Sequence, residues 1–179
     1  VDGAAERPVP LEMSLLIGLL KQDQFESVLR VTAELGVSRV CPVVCERSVP
    51  RPDKAGAGTR MPRWRRILCE ATKVSGSVRV PELSDPVAFR DVRWDELPEQ
   101  RYAALLGVGA DPIATARTAP GRIVFAVGPE GDWTDGEAAV LIERGFAPIS
   151  LGPRILRAST AAIAGCAWFR MSAESGRGM

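Results

Sequence analysis

Apolar positions along the chain alternate between short runs of strand length and longer stretches at helical spacing. Ser14 to Leu20 is a continuous apolar run of strand length. Asp23 then reads as a helix cap with Glu26 three residues on, a carboxylate variant of the capping box. Phe25, Val28, Leu29, Thr32 and Leu35 follow at helical spacing, and Gly36 closes the helix. Arg39 to Cys45 reads as a second strand. Pro50 to Thr59 is rich in Gly and Pro and predicts a loop. Pro62 opens another helix, with Trp64, Ile67, Leu68 and Ala71 on one face and Gly76 at its end. Further strands are expected near Val78–Pro81, Tyr102–Val108, Ile123–Val127 and Pro148–Leu151, with Asp85 to Glu99 as a polar connection. Thr134 and Glu137 make a capping box for a helix running to about Arg144. A last helix, built from small residues, starts near Ser159.

Strands alternating with helices imply an α/β fold with a mostly parallel sheet, which binds ligands at the carboxyl ends of its strands. At 179 residues, 46% of them hydrophobic, one domain with its own core is expected. The chain has no histidine, which excludes a Ser–His–Asp triad, a His general base and every His-ligated metal site. Cys41, Cys45, Cys69 and Cys166 form no Cys-x-x-Cys pair and read as small apolar residues in a reducing compartment, so no metal is expected. The longest apolar stretch, Leu15 to Leu20, is too short to cross a bilayer; a soluble, cytoplasmic protein is expected.

The net charge of +1 hides an asymmetry. From Arg47 to Arg79 nine basic residues face two acids. Such clustering favours a polyanion through counterion release and steering, and here it points to RNA. Arg47, Arg60, Arg63, Arg65, Arg66 and Lys73 are the candidate contacts.

Two loops could carry chemistry. Val127-Gly128-Pro129-Glu130-Gly131-Asp132-Trp133 leaves a buried strand and enters a capped helix, with two glycines three apart around Glu130. It is no phosphate loop, and a tight turn without a ligand fits its spacing equally well. The second loop, Leu151 to Thr160, also runs from strand to helix and carries Arg154 and Arg157. A helix N-terminus with two guanidiniums favours an anion, whereas Ser159 reads more simply as a cap.

Taken together, GPEG after an apolar strand and then LGPRILRASTAA resemble the RsmE family of 16S rRNA methyltransferases. ELGV at Glu34 to Val37, ERSV at Glu46 to Val49 and Arg63–Trp64 before a helix match in order, so the resemblance covers residues 14 to 171. It implies a SPOUT-type α/β domain, a mostly parallel sheet flanked by helices, with a deep trefoil knot at its C-terminal end. It further implies a homodimer that binds S-adenosylmethionine in the knot and methylates nitrogen 3 of one uridine of 16S rRNA in the 30S subunit. On this reading residues 14–174 form the methyltransferase domain, 1–13 are the remnant of a linker to a PUA-like RNA-binding barrel, and 175–179 are a tail.

Carried over by position, three segments would hold the cofactor. They are Leu106, Gly107, Val108 and Gly109; Val127, Gly128, Pro129, Glu130 and Gly131; and Ser150, Leu151, Gly152, Ile155 and Leu156. Arg157 would stabilise a uridinate oxygen, Glu130 would act as base or positioning group, and Arg154 would meet RNA. The chain also departs from the family pattern. Ser159 stands where the motif has Glu, Asp132 replaces the second Gly after Pro-Glu, Val31 replaces a common Lys, and Lys73-Val74-Ser75-Gly76-Ser77 replaces a Glu-Gln-Ser-Gly-Arg run. These losses keep a second expectation open, a non-catalytic SPOUT-fold dimer that binds RNA without methyl transfer.

Overall fold

The computed structural model describes residues 11–49, 54–107, 109–116 and 121–175. Eight strands form one sheet: β1 (Leu11–Gly18), β2 (Arg39–Val44), β3 (Glu82–Leu83), β4 (Val87–Ala88), β5 (Gln100–Ala104), β6 (Asp111–Pro112), β7 (Gly121–Val127) and β8 (Ala147–Ser150). Four helices accompany them: α1 (Gln22–Glu34), α2 (Lys54–Val74), α3 (Asp135–Glu143) and α4 (Ala158–Ser175). The order is β3-β2-β1-β7-β5-β8-β6, with β4 also on β2, and every described pair is parallel.

The central strands are buried on both faces, as a parallel sheet covered by helices requires. Side-chain alternation then sorts them into two cores. Leu15 and Ile17 of β1 with Ile123 and Phe125 of β7 meet Phe25, Trp64, Leu68, Ala162 and Phe169 from α1, α2 and α4. Leu16, Val43, Val124 and Ala126 face the other way, onto Trp94, Trp133, Leu141 and Phe146. Among the described residues no helix is long and apolar enough to cross a membrane.

Several elements differ from the sequence expectation. β1 starts at Leu11, not Ser14, because Leu11 and Met13 are buried on either side of exposed Glu12 and pair with β7. Lys21, not Asp23, stands at the N-cap of α1, and no side chain caps it. Glu26 does not reach back as a capping-box carboxylate; Arg63 of α2 takes it instead. The helix expected from Pro62 begins at Lys54, so part of the expected Pro50–Thr59 loop is helical and the rest lies outside the described residues. Pro62 sits inside α2 at the expense of one backbone hydrogen bond, and the buried face of Trp64, Ile67, Leu68 and Ala71 outweighs it.

Val78 and Val80 are exposed, and the short strand that pairs with β2 lies just beyond them at β3. The Asp85–Glu99 connection is less polar than it reads. It contains β4 and two 3-10 turns, and it buries Val92 and Trp94, the latter edge-on to Phe89 and Phe146. β5 ends earlier than expected, and the chain turns at Gly107 with φ +77°. The Ala161 N–H donates to the Arg157 carbonyl at 2.8 Å, so Ser159 lies within the first turn of α4 and is not its cap.

Candidate functional site

The carboxyl ends of β5, β7 and β8 open onto one cavity of about 450 Å³, a volume in the range of ligand sites. Its walls are the three segments that leave these strands, together with Gln24 of α1 and Ala161 of α4. The middle segment is held by close backbone packing and by borrowed partners. A Cβ on Gly18, at the end of β1, would overlap the Pro129 backbone nitrogen, so only glycine lets this segment lie against β1. Glu130 Oε1 accepts from the Lys21 N–H at 2.9 Å, tying the segment to the start of α1. The Asp132 N–H donates to the Pro129 carbonyl at 2.9 Å, closing a turn.

Asp132 has φ +60°, the left-handed region, and its Oδ1 accepts from the Trp133 N–H at 2.8 Å. Asp is among the few side chains that tolerate this conformation. Beyond the turn, the Thr134 hydroxyl and Glu137 carboxylate form the expected capping box of α3. The second oxygen of Glu137 accepts from the Glu46 N–H at 2.9 Å, so one buried carboxylate joins α3 to the end of β2.

The cavity lining contains Leu106, Val127, Gly128, Pro129, Glu130, Gly131, Ser150, Leu151, Gly152, Ile155 and Leu156 from the expected cofactor set, along with Arg154 and Arg157. Gly107 and Gly109 are not in it, and Val108 lies outside the described residues. Gln24, Ala104, Leu105, Ile149 and Ala161, which belong to no motif in the sequence, also line it, as do Asp132 and Ala158 of the two loops. The apolar side is partly open: Ile155 is 82% and Leu106 56% exposed, surface that a bound ligand would cover. Arg154 and Arg157 are exposed, and among the described residues neither guanidinium has a partner. Cations beside an apolar cavity can stabilise an anion that develops there.

The expected RNA contacts separate into two groups. Arg60, Arg65, Arg66 and Lys73 lie on the outer side of α2, half-buried in the first case and exposed in the others. Arg66 pairs there with Glu70. Arg47 instead donates to the Gly131 and Trp133 carbonyls, each at 3.2 Å, and clasps the cavity segment. Arg63 grips Glu26 with two nitrogens, the Nη2–Oε2 distance being 2.8 Å. That hydrogen bond holds the Glu26 carboxyl below its ordinary range. Burial pushes the Cys45 and Cys166 thiols up to about 12 and also raises Cys41, so none of the three is a thiolate near neutrality.

The RNA methyltransferase domain family matches residues 7–170. Ribosomal RNA small subunit methyltransferase E of Synechocystis is 36% identical over 162 residues, covering 87% of this chain and 52% of that protein. Ribosomal RNA small subunit methyltransferase E 2 of Borreliella burgdorferi is 30% identical and covers 93% of this chain and 69% of its own length. The chain thus spans about half the length of the first relative and about two thirds of the second. The crystal structure of a ribosomal RNA small subunit methyltransferase E from Neisseria gonorrhoeae, bound to S-adenosyl methionine, superposes with a TM-score of 0.85 at 32% identity, over 95% of this chain and 70% of that one. With its parallel sheet, its cavity at the strand ends and these likenesses, the chain belongs to the RNA methyltransferase domain family, in the branch of ribosomal RNA small subunit methyltransferase E.

Proposed function

We propose that this chain is the catalytic part of an S-adenosylmethionine-dependent methyltransferase that acts, as a homodimer, on nitrogen 3 of a uridine of 16S rRNA in the 30S subunit. One observation carries the reading: a ligand-sized, largely apolar cavity at the ends of β5, β7 and β8, with Arg154 and Arg157 beside it. The cofactor bound to the gonococcal relative and the names of the curated relatives support it. The trefoil knot expected of the superfamily belongs to the same proposal.

The residues present fit such a cofactor. Leu105, Leu106, Leu151, Ile155 and Leu156 offer apolar surface to an adenosine, and buried Gln24 Oε1 has no hydrogen-bond donor among the described residues. When bound, the cofactor supplies a methyl group activated by its sulfonium charge. A uridine N3–H is a weak acid and its neutral nitrogen a poor nucleophile, so the site must favour the ring anion. Arg157, without a partner among the described residues at the start of α4, stabilises a uridinate oxygen in this reading. Glu130 acts as a positioning group, since Oε1 already accepts from the backbone of α1. Arg60, Arg65, Arg66 and Lys73 offer a basic helix face to the rRNA backbone.

Transfer of labelled methyl to undermethylated 30S subunits tests the proposal. The chain is expected to label a uridine at N3, and Arg157→Ala is expected to lower the rate by about 10²–10³-fold with the fold retained. RNA binding without any transfer would sink the proposal in favour of the non-catalytic dimer, for which no feature of the described fold argues.

A further inference from the structure

Gln24 is a residue of the cavity that neither the loop motifs nor the charge pattern points to. It sits in the first turn of α1 and lines the cavity. Its Oε1 is buried and has no hydrogen-bond donor among the described residues. A buried acceptor left unpaired is costly, and a ligand that brings a donor removes that cost. The neighbouring acceptor is Glu130, anchored to the first turn of α1 by the Lys21 N–H. Its carboxylate offsets the positive end of the α1 dipole and leaves this corner rich in oxygen acceptors. Arg154 and Arg157 supply the cations of the same cavity, and Leu151, Ile155 and Leu156 its apolar surface.

A ligand matched to these three features has an apolar body and a zwitterionic end, its carboxylate drawn to the Arg154 guanidinium and its ammonium to the acceptors. We propose that Gln24 is a specificity-determining residue, with Oε1 accepting a charge-assisted hydrogen bond from the α-ammonium of the cofactor's amino-acid moiety. The proposal rests on the cofactor reading above and adds which end of the cofactor α1 recognises.

Calorimetric titration with two probes tests it. S-adenosylhomocysteine carries the amino-acid moiety; 5′-methylthioadenosine keeps the adenosine and lacks that moiety. Gln24→Leu is expected to weaken S-adenosylhomocysteine about tenfold while leaving methylthioadenosine binding unchanged. Gln24→Glu, which keeps an acceptor, is expected to retain S-adenosylhomocysteine affinity. Thermal melting of each variant shows that the fold is intact. Unchanged S-adenosylhomocysteine affinity in Gln24→Leu, or an equal loss for both probes, would overturn the role of Gln24 while leaving the cofactor reading standing. Failure of the unsubstituted chain to bind either probe would overturn the cofactor reading itself.

Discussion

Glu26 and Arg63 meet between α1 and α2, and their unequal exposure decides what their pairing does. The Arg63 side chain is 53% exposed and the Glu26 side chain 11%, so the carboxylate depends on its partners far more than the guanidinium does. Gln22 Nε2 donates a further hydrogen bond to it at 3.0 Å. Removing Arg63 would leave a nearly buried carboxylate with that one donor, and Arg63→Ala is expected to lower stability at pH 7. The Glu26 carboxyl titrates below its ordinary 4.5 in the folded chain, so its contribution is full above that value and is lost as pH falls through the lowered one. Urea unfolding of the two proteins should show a stability gap at pH 7 that narrows below pH 4.5. A gap independent of pH would mean that Arg63 acts by packing alone. Arg170 plays a comparable part between α4 and the opposite end of α1, donating to the Leu35, Gly36 and Leu11 carbonyls at 3.0, 2.6 and 3.1 Å. Three carbonyls at a helix end and a strand start are thereby satisfied by one side chain. An arginine in an otherwise small-residue helix gives no warning of this in the sequence, because its partners are backbone atoms more than a hundred residues away.

At the scale of elements, α4 is drawn tightly onto the sheet. A Cβ on Gly165 would overlap the ring of Phe125 on β7, and Cys166 and Phe169 are fully buried beside it. Alanine is the better helix former by about 1 kcal/mol, yet the clash should dominate. Gly165→Ala is expected to lower stability by about 1–3 kcal/mol, measured by the urea midpoint; a neutral or higher midpoint would show that the helix can move away freely. The small residues of α4 were visible in the sequence, but the ring that requires Gly165 was not. The same division runs through the fold. β7, α3 with its Thr134–Glu137 box, and the buried face of Trp64, Ile67 and Leu68 follow from local pattern. The start of α2, the buried Trp94 and the two-residue strands β3, β4 and β6 depend on pairing across the sheet, which periodicity along the chain does not record. Among site residues, those on the two Gly-containing loops were legible from motif and resemblance. Gln24 was not, since it reaches the cavity from a helix with no motif of its own, nor was the tie of Arg47 to the Gly131 and Trp133 carbonyls, because charge counts do not reveal carbonyl partners.

At the scale of the whole molecule, the basic block and the cavity occupy different elements among the described residues. The basic excess from Arg47 to Arg79 is carried largely by the outer side of α2, while the cavity lies at the carboxyl ends of β5, β7 and β8. Two tethers fix the segment after β7: Arg47, just past the end of β2, donates to its Gly131 and Trp133 carbonyls, and Glu130 holds it against the start of α1. The cavity segment is therefore fixed from two sides before any ligand arrives, which lowers the ordering cost of binding. A preformed cofactor site on this family scaffold is the central claim, and calorimetric titration of the chain with S-adenosylhomocysteine tests it most directly because it needs no RNA. Saturable binding at one site per chain is the result predicted here. A folded sample that shows no binding would contradict it.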